Sequence, residues 1–152
     1  MELNSTEDTF RFSKKFGNIL SGGDIIFIFG EIGVGKTTFV RGLINSLEIK
    51  NGIKISEILS PTFNLLFSYK INKIKVMHYD LFRLKKVEDI DELGIFMDTK
   101  DHIILIEWPD LIKKKPKDRI EIFFNYLDEN FIKRNFEIKG HGKWKNYDFK
   151  KI

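Results

Sequence analysis

The segment Gly30-Glu31-Ile32-Gly33-Val34-Gly35-Lys36-Thr37 matches the phosphate-binding pattern G-x-x-x-x-G-K-[ST], and no other feature constrains this chain as strongly. Such a loop works only between a buried strand and a helix. Its glycines let the backbone curl so that successive N–H groups point at phosphate oxygens, aided by the positive end of the helix that follows. Both neighbours are present. Asp24 to Phe29 is a continuous apolar, β-rich run of the kind expected of a central parallel strand buried on both faces. Phe39, Val40, Leu43, Ile44 and Leu47 then mark an amphipathic helix from about Lys36 to Leu47. With Gly near ~7% of residues the pattern arises by chance in well under about 1% of chains this long. The loop therefore predicts a bound nucleotide, touched by Glu31, Ile32, Gly33, Val34, Gly35, Lys36, Thr37 and Thr38. Lys36 is placed to reach the β- and γ-phosphates as a point charge, and Thr37 to set its hydroxyl on a magnesium ion. Glu31 either hydrogen-bonds the nucleotide or caps the turn.

Length and composition narrow the setting of that loop. At 152 residues and 18.0 kDa the chain is sized for a single domain, 1–152. Zero cysteines exclude disulfides, a thiolate nucleophile and cysteine-held zinc or iron-sulfur sites, which suits a reducing cytoplasm. The longest apolar run, Ile25 to Phe29, is about a quarter of the roughly 20 residues a membrane span needs, so no membrane association is expected. A net charge of +4 raises nucleic-acid binding as a question, but the bias towards Lys, Ile, Asn and Phe equally suits an AT-rich genome. The compact cluster Lys113, Lys114, Lys115, Lys117 reads as a solvated loop.

Along the chain, Thr6 is positioned to cap a helix carrying Phe12, Phe16, Ile19 and Leu20 on one face and stopped by Gly22-Gly23. Phe63 to Ile71 and Lys75 to Tyr79 read as a hairpin about Asn72-Lys73. Val87 to Leu93 reads as a short acidic helix, and His102 to Ile106 as a second buried strand. Arg119 to Tyr126 and Phe131 to Ile138 alternate like another hairpin, while residues 140–152 lack a period and read as a loosely attached tail. The expected class is α/β: a P-loop NTPase-like three-layer domain with a mixed central sheet, parallel at its centre and antiparallel beside it.

A phosphate loop needs a carboxylate for its magnesium ion and a group to orient the attacking water. Glu107 ends the run Ile103 to Ile106, where a Walker-B acid belongs if that strand lies beside the loop strand. Asp80 ends Lys75 to Tyr79. Either carboxylate alone reads as a cap or a surface ion pair; two at strand ends behind a phosphate loop read as a site. His78 reads as an imidazole bonded within the sheet, since no second His lies at ligand spacing.

Ser60-Pro61-Thr62-Phe63, His78-x-Asp80-x-x-Arg83 and Glu107-Trp108-Pro109, arranged behind Gly30 to Thr38, resemble the TsaE (formerly YjeE) ATPases of bacterial tRNA threonylcarbamoyladenosine synthesis. The resemblance spans roughly Ser5 to Ile138. It implies a small P-loop domain with ATP and Mg2+ as cofactors and the TsaB and TsaD proteins as partners. That complex modifies the adenosine beside the anticodon in tRNAs reading codons that begin with A, so tRNA is reached indirectly. The same resemblance implies Lys36 on the phosphates, Thr37 and Glu107 on magnesium, and Asp80 in ATP hydrolysis. It sets Thr62 in a switch-like segment where a hydroxyl senses the γ-phosphate, and Trp108 beside the site, with a plain core tryptophan as the evenly weighted alternative for that residue. Arg134 lies where relatives tend to carry a basic residue. Phe82 replaces the family's more usual Tyr, so any role for that hydroxyl is absent.

Other loop-bearing classes fit less well. A small-molecule kinase needs an acceptor site and a lid, and no arginine-rich lid is evident. A GTPase needs Asn-Lys-x-Asp, and Asn72-Lys73-Ile74-Lys75 ends in the wrong residue. A free-standing NTPase, or a module that uses ATP as structural glue, stays open. With no arginine finger evident, weak hydrolysis alone and activation by partners are expected.

Overall fold

The computed structural model describes residues 2, 3, 5–127 and 134–152, which form one seven-stranded sheet flanked by helices. In chain order the elements are β1 (Glu2–Leu3), α1 (Thr6–Gly17), β2 (Ile25–Phe29), α2 (Lys36–Lys50), β3 (Leu66–Ile71), β4 (Ile74–Asp80), α3 (Val87–Glu92), β5 (His102–Glu107), β6 (Arg119–Tyr126) and β7 (Arg134–His141). The sheet order is β1-β7-β6-β2-β5-β4-β3. β2 pairs in parallel with both β5 and β6, and β4 in parallel with β5. The β3–β4, β6–β7 and β1–β7 pairs are antiparallel. This is the mixed sheet expected, with its parallel strands central.

The unbroken apolar run of β2 follows from burial on both faces. Ile26 and Ile28 point towards α1 and α2, where Phe12, Phe16, Phe39, Leu43, Ile103, Leu105, Ile122 and Phe124 complete one core. Ile25 and Phe27 point the other way and pack with Ile104, Ile106, Ile90 of α3 and Ile112. Burying each large side chain contributes about 1.5–3 kcal/mol. The second outer layer is thin, built from α3 and adjoining loops. No helix among the described residues is long and apolar enough to cross a membrane.

Several boundaries differ from those expected. Ser5, not Thr6, caps α1, its side chain accepting from the Asp8 N–H at 3.0 Å, and the helix ends at Gly17 rather than at Gly22-Gly23. β3 starts at Leu66 instead of Phe63 because residues 61–64 form a turn: the Leu65 N–H donates to the Pro61 carbonyl, and Leu65 takes φ +63°. The strand start expected at Phe131 lies outside the described residues. The tail is a correction. β7 continues to His141, single 3-10 turns at Gly142–Trp144 and Phe149–Lys151 follow, and Trp144 is 9% exposed. Phe149 and Ile152 pack against the α1-side core, the Lys15 ammonium reaches the Ile152 carbonyl at 3.1 Å, and Lys143 meets Asp24 at 2.6 Å. Aromatic packing and 3-10 turns hold this segment, and neither leaves a helical or strand period to read.

Candidate functional site

The parallel strands β2, β4 and β5 deliver their C-terminal ends to one edge of the sheet. Ile28 of β2 stands opposite Glu107 of β5, and Glu107 opposite Asp80 of β4. Residues recruited from far apart in the chain therefore meet beside the loop that leaves β2. The loop depends on glycine at two points. A Cβ on Gly30 would lie 2.7 Å from the Phe124 carbonyl oxygen, and Gly35 takes φ +110° to turn the chain into α2. Val34, 1% exposed, anchors the loop in the α-side core, while Ile32 stands exposed at its tip.

Lys36, 5% exposed, donates its ammonium hydrogens to the carbonyls of Gly30 at 2.7 Å and Glu31 at 2.8 Å. The same nitrogen lies 3.9 Å from the centre of the Trp108 ring, a cation–π contact. Burial pulls the Lys36 ammonium below the ordinary lysine value, against the opposing pull of Glu107, Asp80, Asp110 and Glu31. Thr37 Oγ1 donates to the Glu107 carboxylate, 3.1 Å from either oxygen. His78 Nε2 lies 2.8 Å from Glu107 Oε1, and both side chains are buried.

Asp80 is held differently. Its Oδ2 accepts from Thr62 Oγ1 at 2.7 Å and its Oδ1 from the Phe82 N–H at 3.0 Å. Ser60 Oγ lies 2.8 Å from Thr62 Oγ1. Trp108 sits at φ +57°, a conformation that costs a non-glycine residue about 1–3 kcal/mol and turns the chain directly after Glu107. Its ring packs 4.9 Å from that of Phe82 and belongs to neither apolar core, so the alternative of a core tryptophan does not hold.

Together these groups bound a cleft of about 330 Å³. Of the residues expected to touch nucleotide, Ile32, Gly33, Gly35, Lys36, Thr37, Thr38, Thr62 and Trp108 line it, as do Asp80 and Glu107. Val34 does not, because its side chain faces the core. The Glu31 side chain is exposed, its carbonyl serves Lys36, and it borders a neighbouring hollow with Trp108 and Tyr126. Arg134 lies outside the cleft lining but against the loop, its Nη1 3.3 Å from where a Gly35 Cβ would stand and its buried Nε without a partner among the described residues. Ser60, Phe82 and Tyr126 were not expected. The first two lie within the motifs quoted above, whereas Tyr126, whose hydroxyl donates to the Ile32 carbonyl at 3.3 Å, carries no sequence signal at all.

The donor set has a definite chemistry. A hydroxyl and two carboxylates offer only oxygen, which suits a hard cation that keeps water and takes its remaining ligands from phosphates. No cluster of three or more His, Cys, Asp or Glu able to hold a metal stands among the described residues. One ammonium, one helix start and a left-handed glycine turn face the same space, the arrangement expected around a polyphosphate.

A sequence model of the family described as "Threonylcarbamoyl adenosine biosynthesis protein TsaE" matches residues 3–136. A tRNA threonylcarbamoyladenosine biosynthesis protein TsaE of Rickettsia prowazekii is 41% identical over 129 residues, covering 84% of this chain and 87% of the relative. Its counterpart from Aquifex aeolicus is 35% identical over 128 residues, with the same shares covered. Among solved structures, the crystal structure of YdiB from Bacillus subtilis superposes with a TM-score of 0.73 at 22% identity, over 95% of this chain and 86% of that one. At that identity the superposition speaks for the fold.

Proposed function

The chain belongs to the TsaE family of tRNA threonylcarbamoyladenosine biosynthesis, and on that premise we propose that it binds ATP with Mg2+ at the phosphate loop and hydrolyses it. It does so as a cytoplasmic subunit acting with the TsaB and TsaD proteins. The modified base is the adenosine beside the anticodon in tRNAs reading codons that begin with A, and tRNA is met only through the complex. The observation that carries the reading is the bond between the Thr37 hydroxyl and the Glu107 carboxylate, which joins the loop to the end of the adjacent strand.

In this reading Lys36 leaves the Gly30 and Glu31 carbonyls to meet the β- and γ-phosphates, and the loop N–H groups and the start of α2 hold the remaining oxygens. Arg134 braces the loop and adds positive charge beside it. Thr37 and Glu107 hold Mg2+, which when bound neutralises charge developing on the transferred phosphoryl group. Asp80 orients the attacking water. Thr62 engages its Oδ2 and the Phe82 amide its Oδ1, each leaving a lone pair for water, so the segment carrying Thr62 sets how the carboxylate is turned towards that water. That dependence argues for slow turnover by the isolated chain and for acceleration when a partner reorders the segment carrying Thr62. The chain carries nothing resembling a tRNA-modifying catalytic centre, so it does not perform the modification itself.

The test compares phosphate release from ATP by the isolated protein, by the protein with TsaB and TsaD, and by that mixture carrying Lys36→Ala. The pair should raise the rate at least about tenfold, equivalent to about 1.4 kcal/mol of barrier, and Lys36→Ala should abolish the gain. If the isolated chain already turns over at a rate the pair does not change, a free-standing NTPase or small-molecule kinase becomes the better account.

A further inference from the structure

One buried polar group has no part in the mechanism above. His78 lies in β4 opposite Leu105 of β5, two residues before Asp80, so its side chain shares a face with Asp80 and, across the strand pair, with Glu107. It is 0% exposed. Among the described residues its single hydrogen bond runs from Nε2 to Glu107 Oε1 at 2.8 Å, and Nδ1 has no partner. A carboxylate only accepts, so Nε2 carries the hydrogen, and with no acceptor near Nδ1 the ring holds its proton where the bond needs it.

Glu107 Oε1 therefore receives both the imidazole and the Thr37 hydroxyl, whereas Oε2 receives Thr37 alone. One oxygen is tied to the body of the sheet and the other is left facing the cleft. Without that tie, a flexible glutamate beside the Lys36 ammonium is free to turn towards it.

We infer that His78 is a positioning residue, whose Nε2–H fixes the rotation of the Glu107 carboxylate so that it serves the metal end of the site together with Thr37. The inference rests on the proposal that Glu107 supports Mg2+, and extends it to a residue that touches neither metal nor nucleotide. Hydrogen-bond partners of ligating carboxylates commonly carry 10–100-fold in metal affinity.

The experiment is calorimetric titration with ATP at graded Mg2+ and in excess chelator, on wild type, His78→Gln, His78→Asn and His78→Leu, with thermal melting of each. Glutamine places an N–H as many bonds from the backbone as Nε2 is, asparagine falls one bond short, and leucine has no donor. The expected result is at least about a tenfold rise in the Mg2+ needed for half-maximal tightening of ATP binding in the Asn and Leu variants. The Gln variant should return to near the wild-type value, and ATP binding in chelator should stay unchanged throughout. Equal Mg2+ requirements in all four proteins, or equal defects in Gln and Asn, overturn the positioning role, and the Gln–Asn pair decides it even if the Leu variant does not fold. A wild type whose ATP binding ignores Mg2+ overturns instead the magnesium reading on which the inference rests.

Discussion

The cleft has two sides built on different principles. On one, the buried Lys36, His78 and Glu107 and the half-buried Thr37 are carried by α2, β4 and β5, whose backbones are tied into the sheet or the helix ladder. On the other, residues 53–65 run without regular structure, with Leu59 and Phe63 exposed. That segment is held mainly by side chains: Asn45 donates to the Ser56 carbonyl at 3.1 Å, Glu48 accepts from the Ser56 N–H at 2.9 Å, Ile58 is buried, and Thr62 reaches Asp80. Moving the first side means breaking the sheet. Moving the second costs a few bonds of about 0.5–1.5 kcal/mol each, within the reach of a binding partner. On the proposed function, the difference would give ground-state binding to the rigid side and control of hydrolysis to the adjustable one.

Substitutions that remove charge from one side at a time sharpen this division. Asp80→Asn, which changes the carboxylate that the adjustable segment grips, should retain ATP and lose at least about 100-fold in phosphate release, the scale of a water-orienting or general-base group. Glu107→Gln, on the rigid side, should instead weaken Mg2+-dependent ATP binding about tenfold. Binding isotherms and turnover measured on the same preparations check both. Equal binding defects would mean that the two carboxylates do not divide the work as proposed.

A smaller effect tests whether stability elsewhere in the sheet can change without disturbing the cleft. Glu121 of β6 is bonded to Arg119 at 2.8 Å and lies near Lys115 and His141. Burial pushes its carboxyl up, but the Arg119 bond and charge, with Lys115 and His141, outweigh burial and hold it below the usual 4.5. Because the native value is depressed, this stabilisation is complete above about 4.5 and is lost as pH falls through the lower native value. Glu121→Gln should lower stability at neutral pH by about 1.5–3 kcal/mol, the range of a charged hydrogen bond, and flatten the acid side of the melting profile. ATP affinity should not move. A variant that melts like wild type at pH 7 would show that the cluster contributes nothing.

What the sequence could disclose tracks how local each feature is. The phosphate loop is contiguous, and Glu107 stands at the end of an apolar run whose length already places it at a strand terminus, so both were found from pattern alone. The unbroken apolar runs of β2 and β5 likewise reported burial on both faces directly. The choice between Ser5 and Thr6 as helix cap could not be made, since adjacent hydroxyls offer the same chemistry. The turn at Pro61–Leu65 was hidden because Leu65 adopts a left-handed conformation that leucine rarely takes. Pairings such as His78 with Glu107, Thr62 with Asp80 and Tyr126 with Ile32 depend on sheet register and loop path, and no spacing along one chain encodes them. Trp144 and Phe149 pack through tertiary contacts at the end of the chain, where periodicity is silent.

The most direct test of the account is calorimetric titration of ATP with Mg2+ into the wild-type protein and Lys36→Ala. Wild type should bind one nucleotide per chain. The variant should lose at least about tenfold in affinity, since a charge-assisted hydrogen bond contributes roughly 1.5–3 kcal/mol, while keeping a cooperative melting transition. Undiminished affinity in a folded Lys36→Ala protein would contradict the placement of the nucleotide at this loop.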